Sequence, residues 1–282
     1  MSENPIYADL HMHTPNSDGE VTLEELPDVA KENNLRAVAV TDHDRTHDGL
    51  SEPLEVINGI DVISGIELRV ESKYANERID LLGYGVEPTE ELKQTLKEIQ
   101  ENRIKRAENI LDLIEEETGV RIDMELSTGT GRPHIAHAIA DSSKLPHNYN
   151  QAFEKLIGNN CPAYVSRDIP TFEDGVKMLQ ESCHFVSLAH PFRYDNPVGV
   201  LKLSKNIDGV ECIYSYGEAF ETKGYIRELA NINLDEIAVE WFDLNITGGS
   251  DAHTIDDIGT AGLMKTHYET FLKESGLNKY TN

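Results

Sequence analysis

The stretch Asp9-Leu10-His11-Met12-His13-Thr14-Pro15-Asn16-Ser17-Asp18-Gly19 decides how the rest of the chain is read. It grows out of a short run, Ile6 to Leu10, that reads as a strand. In an extended chain alternate side chains share a face, so His11 and His13 point to the same side. Two imidazoles on one side can share a metal ion. Asp18, in the loop beside Gly19, brings a carboxylate within reach of the same pocket. A single loop histidine is more often a surface or core residue than a ligand, so the reading depends on whether ligand-type residues recur at other strand ends.

They recur four times. Ala37 to Thr41 reads as a strand ending in Thr41-Asp42-His43-Asp44, and Asp61 to Ile66 as one ending in Gly65-Ile66-Glu67. Later come Leu188-Ala189-His190-Pro191 and Gly248-Gly249-Ser250-Asp251-Ala252-His253. In a parallel barrel the C-terminal strand ends converge on one face, which would gather these distant residues into one site. Asp42 and Asp44 flank His43 on the opposite side of the extended chain, where they would orient ligands or cap the next helix, and Asp9 is likewise a candidate to orient ligands. A histidine and carboxylate set without thiolates suits manganese, zinc, iron or magnesium. Ions about 3.5 to 4 Å apart can activate a shared water and neutralise both a phosphate and its leaving oxygen.

Outward from these motifs, the first part of the chain alternates strands with helical patterns, the signature of βα units. Thr22 with Glu25 has capping-box spacing, and Leu23, Leu26, Val29 and Ala30 form an apolar stripe behind it. Ile79 to Tyr84 reads as a strand, antiparallel if a hairpin forms near Tyr74 to Arg78. From Glu90 to about Glu117 the pattern is a long charged helix, and strands return only at His184 to Ala189, Gly209 to Ile213 and Leu244 to Gly248. The expected organisation is a barrel formed by residues 1–87 and 184–282, with a helical insertion over 88–183.

Acidic residues number 51 against 25 basic ones, a net charge of −26. This excludes the electrostatic footprint of a protein that binds long nucleic acid tightly. The acidity reads either as a solvated surface suited to high salt or as a cleft whose potential bound cations invert. Cys161, Cys183 and Cys212 are scattered without CxxC spacing, which fits a reducing, cytoplasmic setting. No stretch approaches the roughly 20 apolar residues of a membrane span.

The run DLHMHTPNSDG, followed in order by TDHD, GIE, AHP and GGSDAH, resembles the PHP superfamily, named for polymerase and histidinol phosphatase. The resemblance implies a distorted (β/α)7 barrel of PHP type and a phosphoesterase that uses a metal-activated hydroxide, with two or three divalent ions per chain. Manganese is the first choice, with magnesium, zinc or iron as alternatives. Carried over residue by residue, it assigns His11, His13, Asp18, His43, Glu67, His190, Asp251 and His253 as ligands, with Glu67 and Asp251 bridging. A ninth position, usually histidine, falls on Asp80 in Ile79-Asp80-Leu81-Leu82-Gly83-Tyr84. A carboxylate there would harden the site toward manganese or magnesium, or the centre holds fewer ions.

Within the insertion, Gly131-Arg132-Pro133-His134 resembles the GRPH segment of the subgroup similar to nucleoside 3′,5′-bisphosphate phosphatases, members of which also act as 5′-to-3′ exonucleases on short RNA. The resemblance implies Arg132 as a phosphate fork and His134 as proton donor, both at a helix start suited to anions. Arg193 is a second phosphate-contact candidate, His137 shares the His134 helix face, and Tyr164, Tyr214 and Tyr216 are candidates for stacking on a base. The expected substrate is small and phosphorylated: a nucleotide 3′,5′-bisphosphate or a 5′-phosphorylated short oligonucleotide. Competing readings are a histidinol-phosphate-type phosphatase and a metal-binding regulatory module without catalysis.

Overall fold

The computed structural model describes residues 6–72, 77–214 and 244–281. Its strands are β1 (Ala8–Met12), β2 (Ala37–Val40), β3 (Leu54–Ile57), β4 (Ile60–Ser72), β5 (Glu77–Val86), β6 (Cys183–Leu188), β7 (Gly209–Tyr214) and β8 (Asn245–Gly249). The helices are α1 (Leu26–Glu32), α2 (Glu90–Thr118), α3 (Arg132–Asp141), α4 (Tyr149–Ala152), α5 (Phe172–Ser182), α6 (Pro197–Leu201) and α7 (Lys265–Ser275). They fall into two units: residues 1–93 with 170–282, and residues 94–169.

The first unit holds all the strands among the described residues. They run in the order β1-β2-β4-β5-β6-β7-β8, with β3 paired to β4 beside this path. Along this path pairing is parallel except around β5, which is antiparallel to both β4 and β6, and β3 is antiparallel to β4. The two ends of the path meet. Met12 bridges Ala252, and the His13 N–H donates to the Ala252 carbonyl at 2.9 Å. The sheet is therefore a nearly closed, distorted barrel of mixed direction, and its antiparallel β5 contains Ile79 to Tyr84. The turn expected near Tyr74 lies outside the described residues.

The sequence reading passed over β3. Only Leu54 of its four residues is buried, so it lacks the apolar run that marked the other strands. Asn58 and Gly59, both with positive φ (52° and 79°), form the two-residue turn into β4 that an Asn-Gly pair favours.

Apolar faces explain how the helices of this unit dock. Leu26, Val29 and Ala30 of α1 pack with Val38, Val40, Ile60 and Val62 of the sheet. Tyr268 and Phe271 of α7 pack with Ala8, Leu82, Tyr84 and Phe185. Thr22 and Glu25 do bond reciprocally, with the Thr22 hydroxyl donating to Glu25 at 2.7 Å, although the helix itself starts at Leu26.

The second unit has its own core. Ala107, Ile110 and Ile114 of α2 pack with Ile135 and Ile139 of α3 and with Leu156 and Ile157 of the π turn after α4. Although α2 is 29 residues long, no helix among the described residues is long and apolar enough to cross a membrane.

Candidate metal centre

Strand geometry in the first unit places the ligand-type residues. His11 lies in β1 and His13 just beyond it, while Glu67 extends from β4 beside the end of β2. Reciprocal backbone bonds, Asp44 N–H to Glu67 O (2.8 Å) and Glu67 N–H to Asp42 O (3.1 Å), set His43 next to Glu67. His190 follows β6, and Asp251 and His253 follow β8. The barrel thus brings together His11, His13, Asp18, His43, Glu67, Asp80, His190, Asp251 and His253.

They form three overlapping groups: His11, His13, Glu67 and Asp251; His13, Asp18, His43 and His253; and Glu67, Asp80 and His190. In the first, His13 Nε2 is 3.0 Å from Asp251 Oδ1, and His11 Nε2 is 3.5 Å from Glu67 Oε1 and 3.4 Å from Asp251 Oδ1. Such separations suit donors each about 2.1 Å from one ion. In the second, Asp18 oxygens lie 3.7 Å from His43 Nε2 and 3.5 Å from His253 Nε2. In the third, His190 Nε2 is 3.0 Å from Glu67 Oε1 and 3.8 Å from Asp80 Oδ2. Glu67 belongs to two groups, whereas Asp251 turns Oδ1 to the histidines and accepts at Oδ2 from the Tyr214 hydroxyl and Arg193 Nη1, both at 2.8 Å.

Two observations fit these residues to cations. Among the described residues, His11 Nε2 is a buried nitrogen with no hydrogen-bond partner, a costly arrangement unless a ligand completes it. The backbone is also held in the sparsely populated left-handed region at Asp44 (φ 51°), His190 (φ 27°) and Asp251 (φ 56°), which costs roughly 1 to 3 kcal/mol per residue and persists where surroundings impose it. The third group fits an ion less well, because both Asp80 oxygens already accept from Arg69, at 2.6 and 2.7 Å.

Electrostatics point the same way. Burial would lower the His11 pKa, yet Glu211, Asp251 and Glu67 outweigh it and hold the ring's pKa well above its ordinary value. His43 behaves likewise: burial opposes, Glu67 and Asp18 prevail, and its pKa is pushed up to about 9. Burial and the neighbouring His43 lower the pKa of His13. Burial disfavours charge on Glu67 and Asp251, but the adjacent imidazoles hold both carboxyls well below the usual range. The pocket is an anionic well that draws protons or metal ions.

The surrounding residues hold this geometry. Asp9 accepts from the Ser250 N–H and hydroxyl and the Gly259 N–H, tying β1 to the turn that carries Asp251. Burial pushes its carboxyl up to about 6 against the pull of these bonds. Asp42 accepts from Thr14 N–H, Thr14 Oγ1 and Ser17 Oγ, fixing the loop of Asp18. A Cβ on Gly19 would lie 2.0 Å from the His13 carbonyl oxygen, so only glycine lets that loop fold back so closely. The sequence reading missed Glu211. It is buried in β7, with Oε1 3.0 Å from His11 Nδ1 and Oε2 accepting the His190 N–H at 2.8 Å. Its only sequence signal is a carboxylate inside an apolar strand.

The remaining candidates separate. Arg193 stands at the centre, with Nη1 also donating to the Tyr214 hydroxyl at 2.9 Å. Arg132 and His134 belong to the second unit, at the start of α3. There Arg132 Nη1 donates to Ile157 O and Asn159 Oδ1, its guanidinium lies over the Phe153 and Tyr164 rings, and His134 Nδ1 accepts the Gly131 N–H at 3.1 Å. His137 packs on the Tyr149 ring at 4.6 Å. Tyr216 lies outside the described residues.

The family model of the PHP domain matches residues 9–207. A 3′,5′-nucleoside bisphosphate phosphatase of Chromobacterium violaceum is 27% identical over 87% of this chain and 86% of its own length. A phosphoribosyl 1,2-cyclic phosphate 1,2-diphosphodiesterase of Eggerthella lenta is 27% identical over 87% and 93%. A 5′-3′ exoribonuclease of Haemophilus influenzae is 28% identical over 87% and 89%. A solved structure described as an amidohydrolase from Chromobacterium violaceum superposes with a TM-score of 0.68 at 22% identity, covering 95% of this chain and 96% of that one, which speaks to the fold.

Proposed function

Because the chain belongs to the PHP domain family, we propose that this metal-dependent phosphoesterase acts on nucleotides, releasing phosphate from 3′,5′-bisphosphates or cleaving 5′-phosphorylated short oligonucleotides. The observation that carries the reading is the convergence of four imidazoles and three carboxylates in two groups that share His13, with His11 Nε2 left for a cation. When bound, divalent ions at such donors make water nucleophilic at neutral pH and offset phosphate charge.

The chain's own residues supply the rest. Glu211 orients His11, and Arg193 sets a guanidinium beside Asp251, suited to a phosphate oxygen. Arg132 and His134, at the start of α3 in the second unit, are the phosphate contacts that the GRPH resemblance implies. Because His134 Nδ1 accepts the Gly131 N–H, its neutral ring carries the proton on Nε2, a donor for a phosphate or leaving oxygen. A net charge of −26 repels polyanions, so attraction must come from the centre once its ions are bound, which favours small substrates. The GRPH segment and the names of the Chromobacterium and Haemophilus relatives support nucleotides.

A panel of 3′,5′-bisphosphoadenosine, nucleoside monophosphates, histidinol phosphate, a cyclic phosphodiester and 5′-phosphorylated oligonucleotides, each with manganese and with chelator, tests this. We expect manganese-dependent turnover of the bisphosphate and the oligonucleotides. Arg132→Ala should raise KM about tenfold or more, as expected for a charged hydrogen bond of about 1.5 to 3 kcal/mol. Fastest turnover of histidinol phosphate would move the assignment to that phosphatase class. Stoichiometric metal without turnover of any ester would leave a metal-binding regulatory module.

A further inference from the structure

Glu67 and Arg69 alternate along β4 and so share a face, and the antiparallel register sets Arg69 directly opposite Asp80 of β5. The guanidinium clamps the carboxylate with two bonds, Nε to Oδ1 at 2.6 Å and Nη2 to Oδ2 at 2.7 Å. Asp80 is 4% exposed and its partner 36%, so the pair is screened on the Asp80 side and open on the other. The Asp80 backbone is fixed as well, because its N–H donates to the Tyr194 hydroxyl at 2.8 Å.

A divalent ion between Glu67, Asp80 and His190 would sit against Asp80 Oδ2, the oxygen that accepts from Arg69 Nη2. It would meet a permanent positive charge across one oxygen atom, with little water to screen the repulsion. A fork of two charge-assisted bonds matches a carboxylate well, so the guanidinium is not displaced cheaply. An arginine also meets the first group, but Arg193 Nη1 bonds only Oδ2 of Asp251 and leaves Oδ1 to His11 and His13, whereas Arg69 engages both Asp80 oxygens.

We infer that Arg69 takes the place of a third metal ion: the centre binds two ions, at the groups built on His11 and on His43, and the Arg69 guanidinium supplies the fixed positive charge at Asp80. Asp80 is then a partner of Arg69 and not a metal ligand, contrary to its motif position. Arg69 differs from an ion in consequence. It cannot activate water, it persists in the presence of chelators, and its outward-facing side chain can receive a phosphate oxygen.

The inference rests on the metal-centre reading above, and counting metal distinguishes the two. Protein loaded with excess manganese and then gel-filtered should carry two ions per chain by plasma mass spectrometry. Asp80→Ala should still carry two, whereas Arg69→Met, which frees Asp80, should approach three. Three ions in the parent, loss of one in Asp80→Ala, or an unchanged count in folded Arg69→Met would each overturn the inference while leaving the metal centre standing. An Arg69→Met chain that does not fold leaves the parent and Asp80→Ala counts to decide. A count of zero in the parent would overturn both readings.

Discussion

Glu211 holds His11 Nδ1 with one carboxylate oxygen and the His190 N–H with the other, at 3.0 and 2.8 Å. It thereby fixes which nitrogen of His11 faces the metal pocket, a role in which mutation typically costs 10- to 100-fold in metal affinity or activity, so Glu211→Gln should weaken manganese binding by about that range, readable by titration calorimetry. Unchanged affinity would show that His11 is oriented by packing alone. His43 makes a pH prediction. Its pKa, ordinarily 6.5, is raised to about 9 by Glu67 and Asp18 against the opposing effect of burial. Protonated His43 therefore stabilises the metal-free fold fully below pH 6.5, and that stability is lost as pH rises through 9. Ions require the neutral ring, so they bind more strongly over the same window. Chelator-treated protein should lose Tm from pH 6.5 to 9 while the Tm increment from manganese grows. An increment that shrinks as pH rises would contradict the assignment of His43.

Closure of the barrel depends on how closely β8 approaches β1. A Cβ on Gly249 would lie 2.4 Å from His11 N and from its Cβ, so Gly249→Ala must push the strands apart just where His11 and Asp251 are set. We expect a loss of about 1 to 3 kcal/mol in chemical denaturation, typical of overpacking, together with lower metal content. A loss of stability with metal content intact would show that the site tolerates the shift. The same element scale explains what the sequence could reveal. His11, His13, His43 and Asp251 stood out because each follows an apolar strand and sits beside a loop signal. Glu211 and Arg69 did not, since the meaning of Glu211 depends on a contact with His11 across 200 residues, and that of Arg69 on a register that pairs it with Asp80. Strand β3 was hidden by its half-exposed face, although Asn58-Gly59 carried the turn signal that would have found it.

Across the whole molecule, 51 acidic residues against 25 basic ones leave a self-repelling surface around a cation-seeking centre. Much of that repulsion is between exposed groups and is screened over about 10 Å at 0.1 M salt, so Tm should rise by several degrees between about 10 mM and 500 mM potassium chloride. A Tm that falls with salt would mean that the surface ion pairs outweigh the repulsion. The central claim is that phosphate-ester hydrolysis depends on ions held where β1, β4 and β8 converge. The direct measurement is phosphate release from 3′,5′-bisphosphoadenosine as chelator-stripped protein is titrated with manganese, alongside the His11→Ala plus His13→Ala variant. Activity of the parent should rise from baseline and level off at two ions per chain, and the variant should stay at baseline throughout. Full activity in the stripped protein, or in the variant, would contradict the account.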